Sequence, residues 1–557
     1  MATPQRFGAE FLINTTTADV QFTPDIAALA DGRFVVTWAD LSRSGDDASG
    51  LAVRAQVFNA DGSKDGAEFL VNTLTDASQQ APAVTGLADG GFAIAWQDEN
   101  FGVTGGDNGD GSVRAQVFDG QGLGAGDFLV NTSTGNAQND PTITTLSDGR
   151  FVVAWTDASR LGQGDIATDI RAQIYNANGT VSGVEFVVND KISGGQITPQ
   201  ITALSNGRFA VTWMDNSVNF GTPAGDVIKA TIFSANGAAV TAEFQVNAII
   251  ADTQFDPQVA ALANGRFVVT WTDNSHSPDD PSGFALRGQV FKADGSMAGA
   301  AFLVATTLSN DQQSSDMVGL RDGRFVVTWV DRSFIGGDDQ GAGIKAQLFN
   351  ANGTTSGAEF LVNTTIAGNQ LDPSVTELAD GRFVVAWSDA ASDVFGQIYD
   401  PREAAIALTG GVLGDQFIGT RFGDTLSGGQ GGDDLQGGAG ADLLFGGKGN
   451  DTLAGGMGRD VLTGAAGRDV FVFDTAAAAG TVANPDQIAD FAPKTDRIDL
   501  SGFMPGGSFI GAAAFTAAGQ VRYAAGVLSG ETTGDATADW AVALTGAPMV
   551  HAGDLIF

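Results

Sequence analysis

The chain of 557 residues has no cysteine, two histidines (His276 and His551) and three tyrosines (Tyr175, Tyr399 and Tyr523). Without cysteine there is no disulfide, no thiolate zinc site and no cysteine nucleophile. No H-E-x-x-H metalloprotease motif occurs, nor a phosphate loop, a dinucleotide fingerprint, a Ser-His-Asp elbow or a sialidase-type Asp-box. Basic residues are scarce: 28 Lys and Arg stand against 65 Asp and Glu, a net charge of −37. That balance argues against nucleic acid or an anionic membrane surface as a partner. No run is long and apolar enough to span a bilayer, so membrane insertion is not expected. The first residues, MATPQRFGAEFLINTTT, lack an apolar core of signal-peptide length. No helix-length amphipathic segment interrupts the chain.

What is abundant is glycine, with 77 residues. Between 411 and 473 it falls into nonapeptides. Aspartates recur nine apart at Asp415, Asp424, Asp433, Asp442, Asp451, Asp460 and Asp469. Two residues after each comes an apolar residue: Phe417, Leu426, Leu435, Leu444, Leu453, Leu462, Phe471. The fullest copies are GGQGGDDLQ (428–436), GGAGADLLF (437–445), GGKGNDTLA (446–454) and GGMGRDVLT (455–463). A flexible linker has no reason to keep aspartate and apolar residue in phase. Nine residues suit half a coil: a tight turn needing glycine, then a short strand with one inward apolar residue.

This pattern resembles the G-G-x-G-x-D-x-U-x repeat of the RTX (repeats-in-toxin) family of secreted bacterial proteins. The resemblance implies a parallel β-roll that binds Ca2+ through turn carbonyls and Asp carboxylates. The implied metal sites are Asp415, Asp424, Gly428, Gly429, Gly431, Asp433, Gly437, Gly438, Gly440, Asp442, Gly446, Gly447, Gly449, Asp451, Gly455, Gly456, Gly458, Asp460 and Asp469. Turns 18 residues apart stack on one side, so ions should bridge Asp433 with Asp451, Asp442 with Asp460, Asp451 with Asp469 and Asp424 with Asp442. Asp415 and Asp469 stand in departing copies, VLGD and GAAGRD. Residues 484–503, NPDQIADFAPKTDRIDLSGF, resemble the region after the repeats in serralysin-type proteases. There carboxylates add calcium ligands; Asp486, Asp490, Asp496 and Asp499 match. The terminal Asp554-Leu555-Ile556-Phe557 resembles an uncleaved type I secretion signal.

Before the roll, tryptophan sets a second period. Trp38, Trp96, Trp155, Trp213, Trp271, Trp329 and Trp387 are 58 or 59 residues apart. Each repeat has four strand-like segments, as in QFTPDIAAL (21–29), DGRFVVTW (31–38), VRAQVFNADG (53–62) and GAEFLVN (66–72). Asp-Gly or Asn-Gly between the first two signals a two-residue hairpin. The chain opens with a fourth-type strand, FLIN (11–14), and the last repeat ends after its third, GQIY (396–399). The expected fold is therefore all-β: a seven-bladed β-propeller (1–402) whose N-terminal strand closes the last blade. A calcium-binding parallel β-roll (403–473) and a β-rich cap with the secretion signal (474–557) follow.

Gln recurs seventeen residues before each Trp (21, 79, 138, 196, 254, 312, 370) and Asp two after it (40, 98, 157, 215, 273, 331, 389). These are either a ligand ring or side chains satisfying their own blades. Sevenfold identity favours the second reading. Binding is expected in the variable loops 39–50, 97–111, 156–169, 272–283 and 330–343. The expected function is a secreted, type-I-exported adhesion module for a glycan or cell surface, folded by extracellular calcium and not an enzyme. The alternative is a subunit of a surface layer or biofilm matrix; a polysaccharide hydrolase or lyase comes behind both.

Overall fold

The computed structural model describes residues 3–44, 47, 49–99, 111–159, 168–190, 194–216, 225–277, 283–335, 337, 341–390 and 393–557. The loops at 39–50, 97–111, 156–169, 272–283 and 330–343 lie partly outside the described residues. The chain divides into two compact units. The first holds nearly all of residues 1–401, the second 402–557 and two short segments (30–33 and 59–61). Among the described residues there is no α-helix and no helix long and apolar enough to cross a membrane.

The first unit is a seven-bladed β-propeller of seven four-stranded antiparallel sheets. In the third blade, Gln138–Thr145, Phe151–Asp157, Asp169–Tyr175 and Phe186–Val187 pair in chain order. The seventh has only three strands of its own, Gln370–Glu377, Phe383–Asp389 and Val394–Asp400. Its fourth is Gln5–Leu12, antiparallel to Val394–Asp400 in the register Gln5↔Asp400 to Leu12↔Phe395. The ring thus closes as the strand count at the two ends requires.

Seven apolar cores lie between neighbouring blades. Trp213 packs with Phe209, Val211 and Phe233 of the fourth blade against Val152, Ile170, Ile174 and Val188 of the third. The same pattern repeats around the ring. It ends where Ile13, Leu378, Val384 and Ile398 of the seventh blade meet Val36, Trp38 and Phe58 of the first. The blade tryptophans are at most 2% exposed and are packing residues. The Asp-Gly turns differ from the two-residue expectation. Leu146 N–H donates to Arg150 O and Gly149 N–H to Leu146 O, which leaves three residues in the loop. Gly149 takes the left-handed position (φ +84°), the bulge that a three-residue hairpin places after its tight turn. The following arginine pairs with the turn's own aspartate: Arg150–Asp148 at 2.6 Å, Arg324–Asp322 at 2.6 Å and Arg382–Asp380 at 2.7 Å.

The second unit is a parallel β-roll. Leu426, Leu444 and Leu462 are in register on one sheet, and Phe417, Leu435, Leu453 and Phe471 on the other. All are at most 5% exposed, so one apolar side chain per half-coil fills the thin core. The two rows continue past the nonapeptides. Leu462 is followed by Ile488 and Leu544, Phe471 by Ile498 and Leu555. Longer insertions separate these later strands, and an antiparallel hairpin, Gln520–Ala524 with Val527–Glu531, extends the first sheet.

Candidate metal sites

From Asp433 onward, each roll turn ends in an aspartate whose carboxylate receives the backbone N–H of the aspartate one coil earlier. Asp415 N donates to Asp433 Oδ1 (2.8 Å), Asp424 N to Asp442 (2.7 Å), Asp433 N to Asp451 (3.0 Å), Asp442 N to Asp460 (2.9 Å) and Asp451 N to Asp469 (3.1 Å). The ladder then crosses the insertions: Asp460 N donates to Asp486 Oδ1 (2.9 Å) and Asp469 N to Asp496 Oδ1 (3.2 Å).

One carboxylate oxygen is used in this way, and the other is left over. Oδ2 of Asp433, Asp442, Asp451, Asp460 and Asp486 is buried without a hydrogen-bond partner. Burial, with the neighbouring carboxylates adding to it, pushes the carboxyls of Asp433 and Asp469 up to about 6 and those of Asp442 and Asp486 up to about 7. A buried anionic oxygen with nothing opposite it is costly, and a cation removes that cost.

The glycines make the room. The first glycine of each turn (Gly428, Gly437, Gly446, Gly455) faces the aspartate's Oδ2; a Cβ on Gly437 would lie 2.6 Å from that of Asp442. The second (Gly429, Gly438, Gly447, Gly456) and third (Gly431, Gly440, Gly449, Gly458) hold φ between +88° and +150°, which other residues avoid. Among the described residues no three carboxylate or imidazole side chains converge at metal distance. A cation between turns would be held by one or two carboxylates with backbone carbonyls. That donor set suits calcium, which takes six to eight hard oxygens in flexible geometry. The donors present fit it.

The outlying aspartates behave differently. Asp415 takes Gly411 N–H on Oδ2 (2.8 Å), and Asp424 takes Thr420 Oγ1 on Oδ1 (3.1 Å) and Thr420 N–H on Oδ2. Asp415 is held within its own turn, whereas Asp424 Oδ1 also accepts Ile406 N–H (2.7 Å) from the coil before. Asp490 caps two backbone N–H groups, Gly464 (3.0 Å) and Ala465 (2.8 Å), and Asp499 receives Ser501 N–H. Of the four post-repeat aspartates, Asp486 and Asp496 are the ones that continue the ladder.

In most blades of the propeller, the recurring Gln and Asp bond each other within their blade, and the Gln also accepts from an asparagine of the blade before. Asn14 Nδ2 donates to Gln21 Oε1 (3.2 Å), Gln21 Nε2 to Asp40 Oδ1 (2.9 Å), and Asp40 Oδ2 meets Arg54 Nε (2.5 Å). The Asn72–Gln79–Asp98 set repeats the first two bonds. Sequence reasoning missed the residues before the Gln-x-x-Pro prolines and, in the sixth blade, before Ser315. Thr23, Ala81, Asp140, Thr198, Asp256, Ser314 and Asp372 all sit in left-handed bulges with φ between +46° and +52°. They and the residues after them line a central cavity of about 630 Å3. Five of its lining residues are aspartates (Asp25, Asp140, Asp256, Asp316, Asp372), and no Lys, Arg or His is among them. Burial raises all five carboxyls, that of Asp316 to about 7 with the Asp25 charge adding to the rise. Ser374 Oγ donates to Asp25 Oδ1 (2.9 Å). The available signal was the proline itself, which marks the innermost strand.

Comparison with known proteins adds the following. The RTX calcium-binding nonapeptide repeat (4 copies) matches residues 409–444 and 436–471. No curated protein matches the chain. Among solved structures, a protein of unknown function from Dyadobacter fermentans DSM 18053 is 12% identical, with 71% of this chain and 99% of that one covered and a TM-score of 0.42. An α-L-arabinanase of Penicillium chrysogenum is 13% identical over 71% and 99%, with a TM-score of 0.41. The NanB sialidase of Streptococcus pneumoniae is 11% identical over 71% of each chain, with a TM-score of 0.40. The expectation that the chain is not an enzyme is corrected here: structures similar to it include a sialidase and an arabinanase, so that exclusion is withdrawn. At this identity the likeness is one of fold, and no activity passes to this chain.

Proposed function

From the RTX calcium-binding repeats at 409–471, we propose that the chain is exported by a type I secretion apparatus and that its roll folds on extracellular calcium. The propeller is then its binding module, for a polysaccharide or cell-surface glycan. Calcium at roughly millimolar level outside a cell matches the weak sites of extracellular modules, whereas the cytosol holds little. A ligand that binds only the folded state stabilises it by mass action.

The observation that carries the propeller's part is the central cavity. It offers carboxylate, hydroxyl and amide side-chain oxygens from six of the seven blades and no cationic side chain. Sugar hydroxyls are donors, and such a cavity accepts from several at once. In calcium, the full chain is expected to bind a neutral or amino-sugar polysaccharide saturably, and Asp25→Asn is expected to weaken binding about tenfold, the loss of one charge-assisted bond. Failure to bind any member of a glycan panel, with assembly on adding calcium, would replace this reading with that of a matrix subunit.

A second reading rests on the Asp25–Ser374–Asp316 group. Ser374 Oγ donates to Asp25, and burial with the Asp25 charge raises the Asp316 carboxyl to about 7. Paired carboxyls in different protonation states are what glycoside hydrolysis uses. If the bound polysaccharide is cleaved, Asp316→Asn is expected to lower the rate by about 10²–10⁴-fold, the span of general acid catalysis. Cleavage unaffected by that change would remove the pair from the reaction.

A further inference from the structure

Glu531 ends the strand Val527–Glu531, outside the nonapeptides and their ladder. It is 0% exposed, while the residues that follow it, 532–537, are exposed. Its Oε1 accepts Thr533 N–H (2.8 Å), Thr533 Oγ1 (3.1 Å) and Gly534 N–H. Its Oε2 is buried and has no partner. This is the condition of Asp433, Asp442, Asp451, Asp460 and Asp486: one oxygen on backbone N–H, the other orphaned. No other carboxylate of this unit outside the ladder shares it among the described residues.

The surroundings are acidic. Asp539 Oδ2 accepts Thr532 N–H (2.5 Å), Thr532 Oγ1 (2.7 Å) and Thr533 N–H (3.2 Å), and its Oδ1 lies 3.5 Å from Thr533 Oγ1. The Thr533 hydroxyl therefore stands between Glu531 and Asp539. Asp535, in the same turn, takes Thr537 N–H (2.8 Å) and Oγ1 (2.6 Å). No Lys or Arg follows Arg522 in the chain, and Arg522 lies over the Phe515 ring.

We propose that the turn from Glu531 to Asp539 is a hard-cation site for calcium, separate from the ladder. Glu531 Oε2 and Asp539 Oδ1 supply the anionic oxygens, Thr533 Oγ1 a neutral one, and water completes the shell at the open side of the turn. A smaller cation that demands rigid octahedral geometry suits such an irregular set less well. Trp540 follows Asp539, is fully buried and meets Phe503 edge to face at 5.4 Å. It is the unit's sole tryptophan and a built-in sensitiser.

The test counts ions on the full chain by native mass spectrometry at saturating calcium and reads Trp-sensitised Tb3+ luminescence. Glu531→Gln keeps the acceptor for Thr533 and Gly534, and is expected to hold one Ca2+ fewer and to lose most of the sensitised emission. Asp539→Asn leaves the buried Glu531 in place and serves if the first variant does not fold; it is expected to weaken that one ion at least tenfold. An unchanged ion count and emission in the folded variant, or in Asp539→Asn alone, overturns the proposal.

Discussion

Freed of metal at pH 8, the C-terminal unit is expected to show no cooperative unfolding transition, and to regain one as calcium is raised to about 1 mM. The roll's core is one apolar side chain per half-coil, too thin to offset the ordering of its backbone alone. Each ion present at a hundredfold excess over its Kd adds about 2.7 kcal/mol. The pH dependence makes this sharper. The folded carboxyls of Asp433, Asp442, Asp469 and Asp486 lie at about 6 to 7, raised by burial above their unfolded values near 3.9. A raised folded value contributes stability that is complete below the unfolded value and is lost as pH rises through the folded one. Metal-free protein should therefore recover roll structure on acidification from pH 8 to about 4.5. Calcium-loaded protein should do the reverse, because protons compete for the same oxygens. Far-UV circular dichroism and Trp540 fluorescence across pH, with and without calcium, check both. Parallel curves would contradict the cause assigned to those shifts.

Deleting residues 3–14 is expected to cost the propeller its cooperative transition, or to lower its Tm far more than any single surface change. Those residues carry the closing strand. Ile13 is 0% exposed in the core between the seventh and first blades. Glu10 accepts Thr364 N–H and Oγ1 (2.6 and 2.7 Å), and Asn14 Oδ1 accepts Val394 N–H (2.8 Å). Burying the isoleucine is worth about 1.5–3 kcal/mol and each hydrogen bond about 1 kcal/mol. Together they approach the 5–15 kcal/mol that typically holds a domain. The strand Val394–Asp400 would also become an open edge, which invites association. Calorimetry and size-exclusion chromatography read the two effects. A synthetic peptide of residues 3–16 should restore the transition when added in trans; an unchanged Tm after deletion would mean that the ring does not depend on its closure.

The architecture was largely legible because it is periodic. Seven tryptophans at one spacing placed the blades, and a fourth-type strand at the front with a missing one at the back placed the closure. The nonapeptides were legible for the same reason: aspartate and apolar residue keep one phase over seven copies. Legibility failed where the period breaks. The ladder runs on from Asp460 to Asp486 and from Asp469 to Asp496, spacings of 26 and 27 residues. A nine-residue rule does not reach across an insertion, so spacing alone could not separate Asp496 from the neighbouring Asp490, which caps backbone instead. The cavity aspartates were hidden differently. Asp140, Asp256 and Asp372 precede an inner-strand proline, whereas Asp25 follows one and Asp316 follows Ser315 in the proline's place, so no single repeat column contains them all. Glu531 stands alone in its strand, and only its burial, which is a tertiary property, distinguishes it from the exposed acids around it.

Hydrogen exchange of the ladder amides tests the central claim most directly. The N–H groups of Asp424, Asp433, Asp442 and Asp460 are held by carboxylates whose other oxygens are buried without a partner. At pH 8 these amides should exchange within the dead time in metal-free buffer and become protected by several orders of magnitude in calcium, while the amides of the blade cores stay protected in both. Equal protection of the ladder amides with and without calcium would contradict the account.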